Sequence, residues 1–239
     1  MSDRRTILVT GASSGIGAAV ALAAAAEGWD VVLTGRDADR LHLTGAGCAS
    51  HGAHSVTAIR ADLDSPWKAA GTIAAAAADA GLRLDSIVNA AGVAAFQSIE
   101  ATDPTHFDRT MRINAIGPAA IIARNWPDLV AGGRGRIVNI SSMSSVDPYR
   151  HLFAYGASKA AMDNLTRSSA GDGASVGVKA WSILPGVVET PMLRTLFSLE
   201  QVPAHRAYQP ESIARLAIDL IADRRTEPSG TLIELRADP

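Results

Sequence analysis

The sequence predicts a single α/β domain built on a doubly wound parallel sheet, and three observations predict it. Short runs rich in β-branched residues alternate with longer helix-compatible segments. The runs lack the polar alternation of a half-exposed strand, so both of their faces need covering helices. A glycine-rich turn directly follows the first run, where such sheets bind ligands.

In chain order, a first strand over residues 6–10 leads to a helix over 18–27, a second over 30–34 to a helix over 37–49, and a third over 55–61 to a helix over 66–80. Gly45, Gly47 and Gly52 predict that the second helix ends early. Further strands are expected at 86–89, 135–141 and 178–185, with helices over 104–130 and 154–170. A last helix over 210–222 precedes a final strand at 231–236. Residues 190–208 lack clean periodicity and hold Pro191 and Pro203, which predicts a lid or substrate-binding loop. No repeat or linker divides the chain, so residues 1–239 are expected to form one domain.

The chain is 47% hydrophobic and 19% charged with net charge −2, which gives no general attraction to nucleic acid or an anionic membrane. The one cysteine, Cys48, cannot form an internal disulfide and fits a reducing cytoplasm. Residues 1–5 pass directly into an apolar strand without a signal-peptide pattern, and the alanine-rich runs fall short of the ~20 residues that span a bilayer. A cytoplasmic protein is expected. The six histidines form no ligand spacing, and Cys48, His51 and His54 make only a loose cluster, so no metal is expected.

Tyr155 and Lys159 stand four residues apart, on one face if the segment is helical. A lysine there can bring a phenol pKa from about 10 towards neutrality, roughly 4 kcal/mol at about 1.36 kcal/mol per unit. Such a phenol can trade protons with an alcohol or ketone. The pair alone also fits a buried aromatic beside a solvated lysine stem.

Gly11, Gly15 and Gly17, with Ser13, Ser14 and Ile16 between them, link the first strand to the first helix. Glycines there let the backbone approach a pyrophosphate, whose charge is met by N–H groups at the helix start. The spacing is Gly-x-x-x-Gly-x-Gly, not the common G-x-G-x-x-G. After the second strand no carboxylate awaits a ribose 2′-hydroxyl; Arg36 stands there instead, and its guanidinium suits a 2′-phosphate. Arg40 could assist, and NADP(H) is expected over NAD(H), although Arg36 also reads as a solvated helix-start residue next to Asp37 and Asp39.

Thr10 to Gly17, Asn89-Ala90-Ala91-Gly92, Asn114, Ser142, Tyr155, Lys159 and Pro185-Gly186 together resemble the single-domain short-chain dehydrogenase/reductase family over residues 6–231, with each motif in order and Ser142 thirteen residues before Tyr155. The resemblance implies a Rossmann fold and hydride transfer between a nicotinamide and a ketone or secondary alcohol. Tyr155 would be the general acid/base, and Lys159 would lower its pKa and hold the nicotinamide ribose. Ser142 would bond the substrate oxygen, and Asn114 would anchor a water linking Lys159 to solvent. Asp62 and Leu63 would flank the adenine, Asn89, Ala90 and Gly92 would lie beside the adenosine ribose, and Pro185, Gly186, Val188 and Thr190 would form the carboxamide loop. Taken singly, Ser142 also reads as a loop hydroxyl, Asn114 as a buried amide and Thr190 as a helix cap.

Two departures stand out: Ala90 replaces the second asparagine of the usual motif, and residues 234–239 lack the family's Asp-Gly-Gly ending. A carbonyl reductase or 3-oxoacyl-reductase-like enzyme is expected. An NAD-dependent alcohol, sugar or hydroxysteroid dehydrogenase is the alternative, with a non-catalytic nucleotide sensor a remote one. The pocket is expected from residues 93–97, 143–153 and 187–196, whose Val93, Phe96, Met143 and Phe153 favour an apolar carbonyl substrate. Ala157, Ala160 and Ala161 on the Tyr155 helix could pack on a symmetry mate, and a homodimer or homotetramer is expected by the same resemblance.

Overall fold

A computed structural model describes residues 4–236; residues 237–239 of the unusual ending, like residues 1–3, lie outside the described residues. Seven parallel strands pair in the order β3-β2-β1-β4-β5-β6-β7. They are β1 (Thr6–Thr10), β2 (Asp30–Gly35), β3 (Ser55–Arg60), β4 (Ser86–Asn89), β5 (Arg136–Ile140), β6 (Lys179–Pro185) and β7 (Leu232–Leu235). The chain winds outward from β1 in one direction, then returns to place β4 on its other side, so the order reverses between β1 and β4. The central strands β1, β4 and β5 are buried along their whole length, as the absence of polar alternation predicts.

Successive side chains point to opposite faces, so Ile7 and Val9 enter one core while Leu8 enters the other. Helices α1 (Gly15–Ala26), α2 (Ala38–Ser50) and α8 (Pro210–Ile221) cover the first face; α3 (Pro66–Asp79), α5 (Gly117–Ala131) and α6 (Phe153–Gly173) cover the second. Alanines of α1, buried at positions 19, 21, 24 and 25, let that helix lie close against the sheet and α8.

Three local expectations are corrected. Helix α2 does not end early but runs through Gly45 and Gly47 to Ser50. Packing explains it: a Cβ on Gly47 would sit 3.0 Å from Leu22, so that glycine permits close approach to α1, while Gly45 packs at ordinary contact distance from Val56 of β3. The helix expected over 104–130 is α4 (Pro104–Met111), a π-helical turn Arg112–Ile116 and α5. The segment 190–208 is not structureless; it holds a short helix α7 (Pro191–Leu196) and a 3₁₀ turn Ala204–Arg206. Among the described residues, no helix is long and apolar enough to cross a membrane.

Candidate active site

A cavity of about 640 Å³ opens at the carboxyl ends of the strands, across the reversal between β1 and β4. Ligands of doubly wound sheets bind at this position.

Its nucleotide end is built by backbone. Gly11 (φ +67°) and Gly15 (φ +54°) adopt the left-handed region. A Cβ on Gly11 would fall 2.7 Å from Ala91 Cα, and one on Gly17 would fall 2.4 Å from the Gly11 carbonyl oxygen. Ser14 is the N-cap of α1 and its side chain makes no capping bond, and Ser13 to Gly17 line the cavity, so the start of α1, where helical N–H groups lack intrahelical partners, lies at its wall. This cradle fits a pyrophosphate. The hydroxyl of Thr10 accepts from the N–H groups of Ala90 and Ala91, both at 3.1 Å, which ties the end of β1 to the segment after β4. Ala90 therefore keeps its main-chain position without the missing asparagine. Arg36 is exposed and lines the cavity rim with Asp62 and Leu63. Arg40 instead faces Asp37 at 3.2 Å, and Asp37 caps α2 through the Arg40 N–H.

At the other end stand Ser142, Tyr155 and Lys159. Ser142 follows β5, accepts from the Ser144 N–H at 3.1 Å and lines the same cavity wall as the Tyr155 phenol. Burial raises the phenol above its ordinary value, and the nearby Ser142 hydroxyl only partly offsets this. The expected lowering of the Tyr155 pKa by Lys159 is therefore not seen. The physical reason is where the ammonium points: Lys159 Nζ donates to the Ile140 carbonyl at 2.7 Å and lies 5.7 Å from the Tyr155 ring centre. Burial pushes Lys159 itself down to about 8, with the negative charge of Asp163 opposing.

Two residues expected at the site do not line the cavity. Asn89 is buried and donates to Asn139 Oδ1 at 2.9 Å, crosslinking β4 to β5. Asn114 sits in the π-helical turn, accepts from the Val93 N–H and donates to the Val93 carbonyl, each at 2.9 Å, and donates to Ser158 Oγ at 3.0 Å. Both act from behind the wall. The buried-amide reading fits the Asn114 contacts, since it clamps the segment after β4 that carries Gly92 and Val93. Pro185, Gly186, Val188 and Thr190 do line the cavity, and Thr190 also caps α7 by accepting from the Leu193 N–H at 3.2 Å.

Sequence reasoning placed Thr10 in the glycine motif without a role for its hydroxyl, and it missed Phe197, Arg236 and Asp163. Asp163 was legible, since it stands one helical turn after Lys159. Phe197 and Arg236 reach the cavity only through tertiary folding of the lid and of β7. Cys48 is buried and its thiol is pushed up to about 11, while His51 bonds the Gly47 carbonyl at 2.8 Å, so the loose cluster is ordinary helix-end packing.

A glycine-cradled nucleotide end joined to a Ser–Tyr–Lys cluster defines a nicotinamide-type oxidoreductase site on a doubly wound fold. The short-chain dehydrogenase family model matches residues 5–201. The galactitol 2-dehydrogenase (L-tagatose-forming) of Cereibacter sphaeroides is 33% identical over 241 residues, covering 97% of this chain and 93% of that protein. Among solved structures, 3-ketoacyl-(acyl-carrier-protein) reductase from Brucella melitensis complexed with NADH superposes with TM-score 0.87 at 25% identity, covering 96% of each chain. A variant of actinorhodin polyketide ketoreductase with NADPH gives TM-score 0.89 at 25% identity, covering 98% of this chain and 97% of that one. The chain belongs to the short-chain dehydrogenase/reductase family. It is an oxidoreductase of the alcohol and ketone groups on which that family acts.

Proposed function

We propose that the protein is an NADP(H)-dependent carbonyl reductase, similar to 3-oxoacyl reductases, that interconverts a ketone and a secondary alcohol. The observation that carries this reading is the convergence of Ser142, Tyr155 and Lys159 on one cavity wall, with Lys159 buried one turn beyond Tyr155 on the same helix. Bound NADP(H) would supply the hydride.

The chain's own residues do the rest. Gly11 to Gly17 receive the pyrophosphate, and Arg36 meets the 2′-phosphate. Lys159 holds the nicotinamide ribose. Ser142 and Tyr155 donate hydrogen bonds to the carbonyl oxygen, and Tyr155 Oη passes its proton to that oxygen as the carbon accepts hydride. A phenol held above its ordinary value keeps that proton at neutral pH, which suits the direction of reduction. Asn114 keeps Val93 and Gly92 in place beneath the cofactor path. The residues 190–208 form the substrate-binding segment of a single domain.

The shallow groove between α5 and α6, lined by Ile122, Trp126 and Leu165, is the face on which a homodimer or homotetramer would form. Sedimentation tests it. A place in the cytoplasm fits the lone buried thiol.

A panel of ketones and alcohols assayed with both NADPH/NADP⁺ and NADH/NAD⁺ tests the activity and the Arg36 assignment together. Tyr155→Phe should bind NADPH with near-unchanged affinity and lose about 10²–10⁴-fold in kcat. Full turnover by that variant, or an NADH preference, contradicts the corresponding part.

A further inference from the structure

Three aromatic side chains from three separate segments converge at one end of the cavity. Phe96 follows β4, Tyr149 follows β5 and Phe197 follows α7. Phe197 meets Phe96 edge-on at 5.2 Å and Tyr149 edge-on at 5.7 Å, and Phe96 and Tyr149 stand 6.2 Å apart. Phe96 is 39% exposed and Tyr149 55% exposed, so the cluster shows apolar surface to solvent instead of burying it. Scattered exposed aromatics are ordinary, but a converging group beside a cavity marks a binding surface.

The cluster is continuous with the reaction centre, since Tyr149 and Phe197 line the same cavity as Ser142 and Tyr155. Met143, Met192 and Leu196 make the adjoining wall apolar. The segments carrying the rings are fastened. Gln97 N–H donates to the His151 carbonyl at 2.8 Å, and Gln97 bridges Leu152 in the parallel sense. Arg194 forks onto Glu189 and also donates to the carbonyls of Ser198 and Val202, which holds the segment around Phe197. Rings positioned before a ligand arrives cost less ordering on binding.

The charge at this end is also spoken for. Arg236 lines the cavity, but its guanidinium faces Glu234 at 2.8 Å and Asp147 at 3.8 Å. Two carboxylates already answer the Arg236 charge, so an anionic group leaving water beside this apolar wall would find that cation taken.

We infer that Phe96, Tyr149 and Phe197 form an aryl subsite, and that the substrate of the reductase proposed above, on which this inference rests, is an uncharged aryl ketone. The carbonyl meets Ser142 and Tyr155 while the ring rests against the aromatic cluster, where ring-on-ring contact adds to apolar burial.

The test compares acetophenone, 2-butanone and 4-acetylbenzoate in NADPH-dependent turnover, with calorimetric binding of acetophenone to the NADP⁺ complex as a readout free of turnover. Wild type should favour acetophenone over 2-butanone by tenfold or more in kcat/KM, and over 4-acetylbenzoate by a similar factor. Phe197→Leu and Tyr149→Leu keep apolar volume but remove a ring; each should cut the acetophenone-to-butanone ratio about tenfold and weaken acetophenone binding alike. Reduction of ketones with no aryl preference, or variants that melt lower yet keep the ratio, overturns the aryl subsite and leaves the reductase reading standing. Acetophenone binding that weakens in both variants, with no ketone reduced, keeps the subsite and overturns the reductase reading. Acetophenone neither bound nor reduced overturns the subsite.

Discussion

Lys159 is a cation inside the protein, 4% exposed, and its environment is set as much from behind as from the cavity. Asp163, one turn further along α6 and 3% exposed, supplies the charge that opposes its desolvation. Asp163 Oδ1 accepts from Ser182 Oγ at 2.7 Å, while Oδ2 has no partner among the described residues. A buried carboxylate so placed is costly unless a positive charge answers it. Asp163→Asn removes the attraction that keeps the ammonium protonated, so Lys159 should lose its proton below its present value of about 8. The alkaline limb of kcat/KM for ketone reduction should move to lower pH, as a pH–rate profile measures. A lower melting temperature with an unmoved limb would mean that Asp163 serves packing alone.

At the scale of elements, the 3₁₀ turn Met143–Ser145 and helix α6 must lie close enough for Ser142 to reach Tyr155. Gly156 makes that possible, since a Cβ there would come 2.9 Å from the Ser144 carbonyl oxygen. Backbone cannot yield as a flexible side chain does. Gly156→Ala should therefore push the turn off the helix and lower kcat about 10- to 100-fold, because misplacement of about 1 Å can cost that much. NADPH affinity, read by fluorescence titration, should change little, since the glycine cradle lies on other elements. Unchanged kcat would show that the turn tolerates the displacement. The same principle applies in α2: propensity argues for ending it early, but at Gly47 close packing on Leu22 prevails.

At the scale of the whole molecule, Asp223 ties the sheet to the end of α8 by accepting from Arg136 at 2.8 Å, Lys179 at 2.9 Å and Arg5 at 3.5 Å. Burial works against its ionised form, but the hydrogen bonds and charges of Arg136 and Lys179 prevail and hold its pKa below the ordinary 3.8. A carboxyl lowered on folding stabilises the fold fully above its unfolded value and loses that contribution as pH falls through the folded one. Asp223→Asn should thus melt below wild type at neutral pH, with the gap closing as pH drops below about 4. Thermal melts of both proteins across pH 2–7 measure this. A constant gap would mean that the pair's charge is irrelevant.

The strand–helix alternation, the glycine turn and the Tyr155–Lys159 spacing were legible in the sequence because each depends on local geometry: a two-residue or 3.6-residue period, or a backbone needing φ above zero. Those local signals determined the fold class and the family, along with most of the cavity wall. They did not determine how the site is tuned. The phenol is raised because the fold buries it, while Lys159 donates to the Ile140 carbonyl of β5. Asn89 and Asn114 brace the wall from behind because their amides find partners on β5, on α6 and after β4. Phe96, Tyr149 and Phe197 read as unrelated loop residues until three connections fold over one cavity. Burial and direction are properties of neighbours brought together by the tertiary fold, and only that fold decided them.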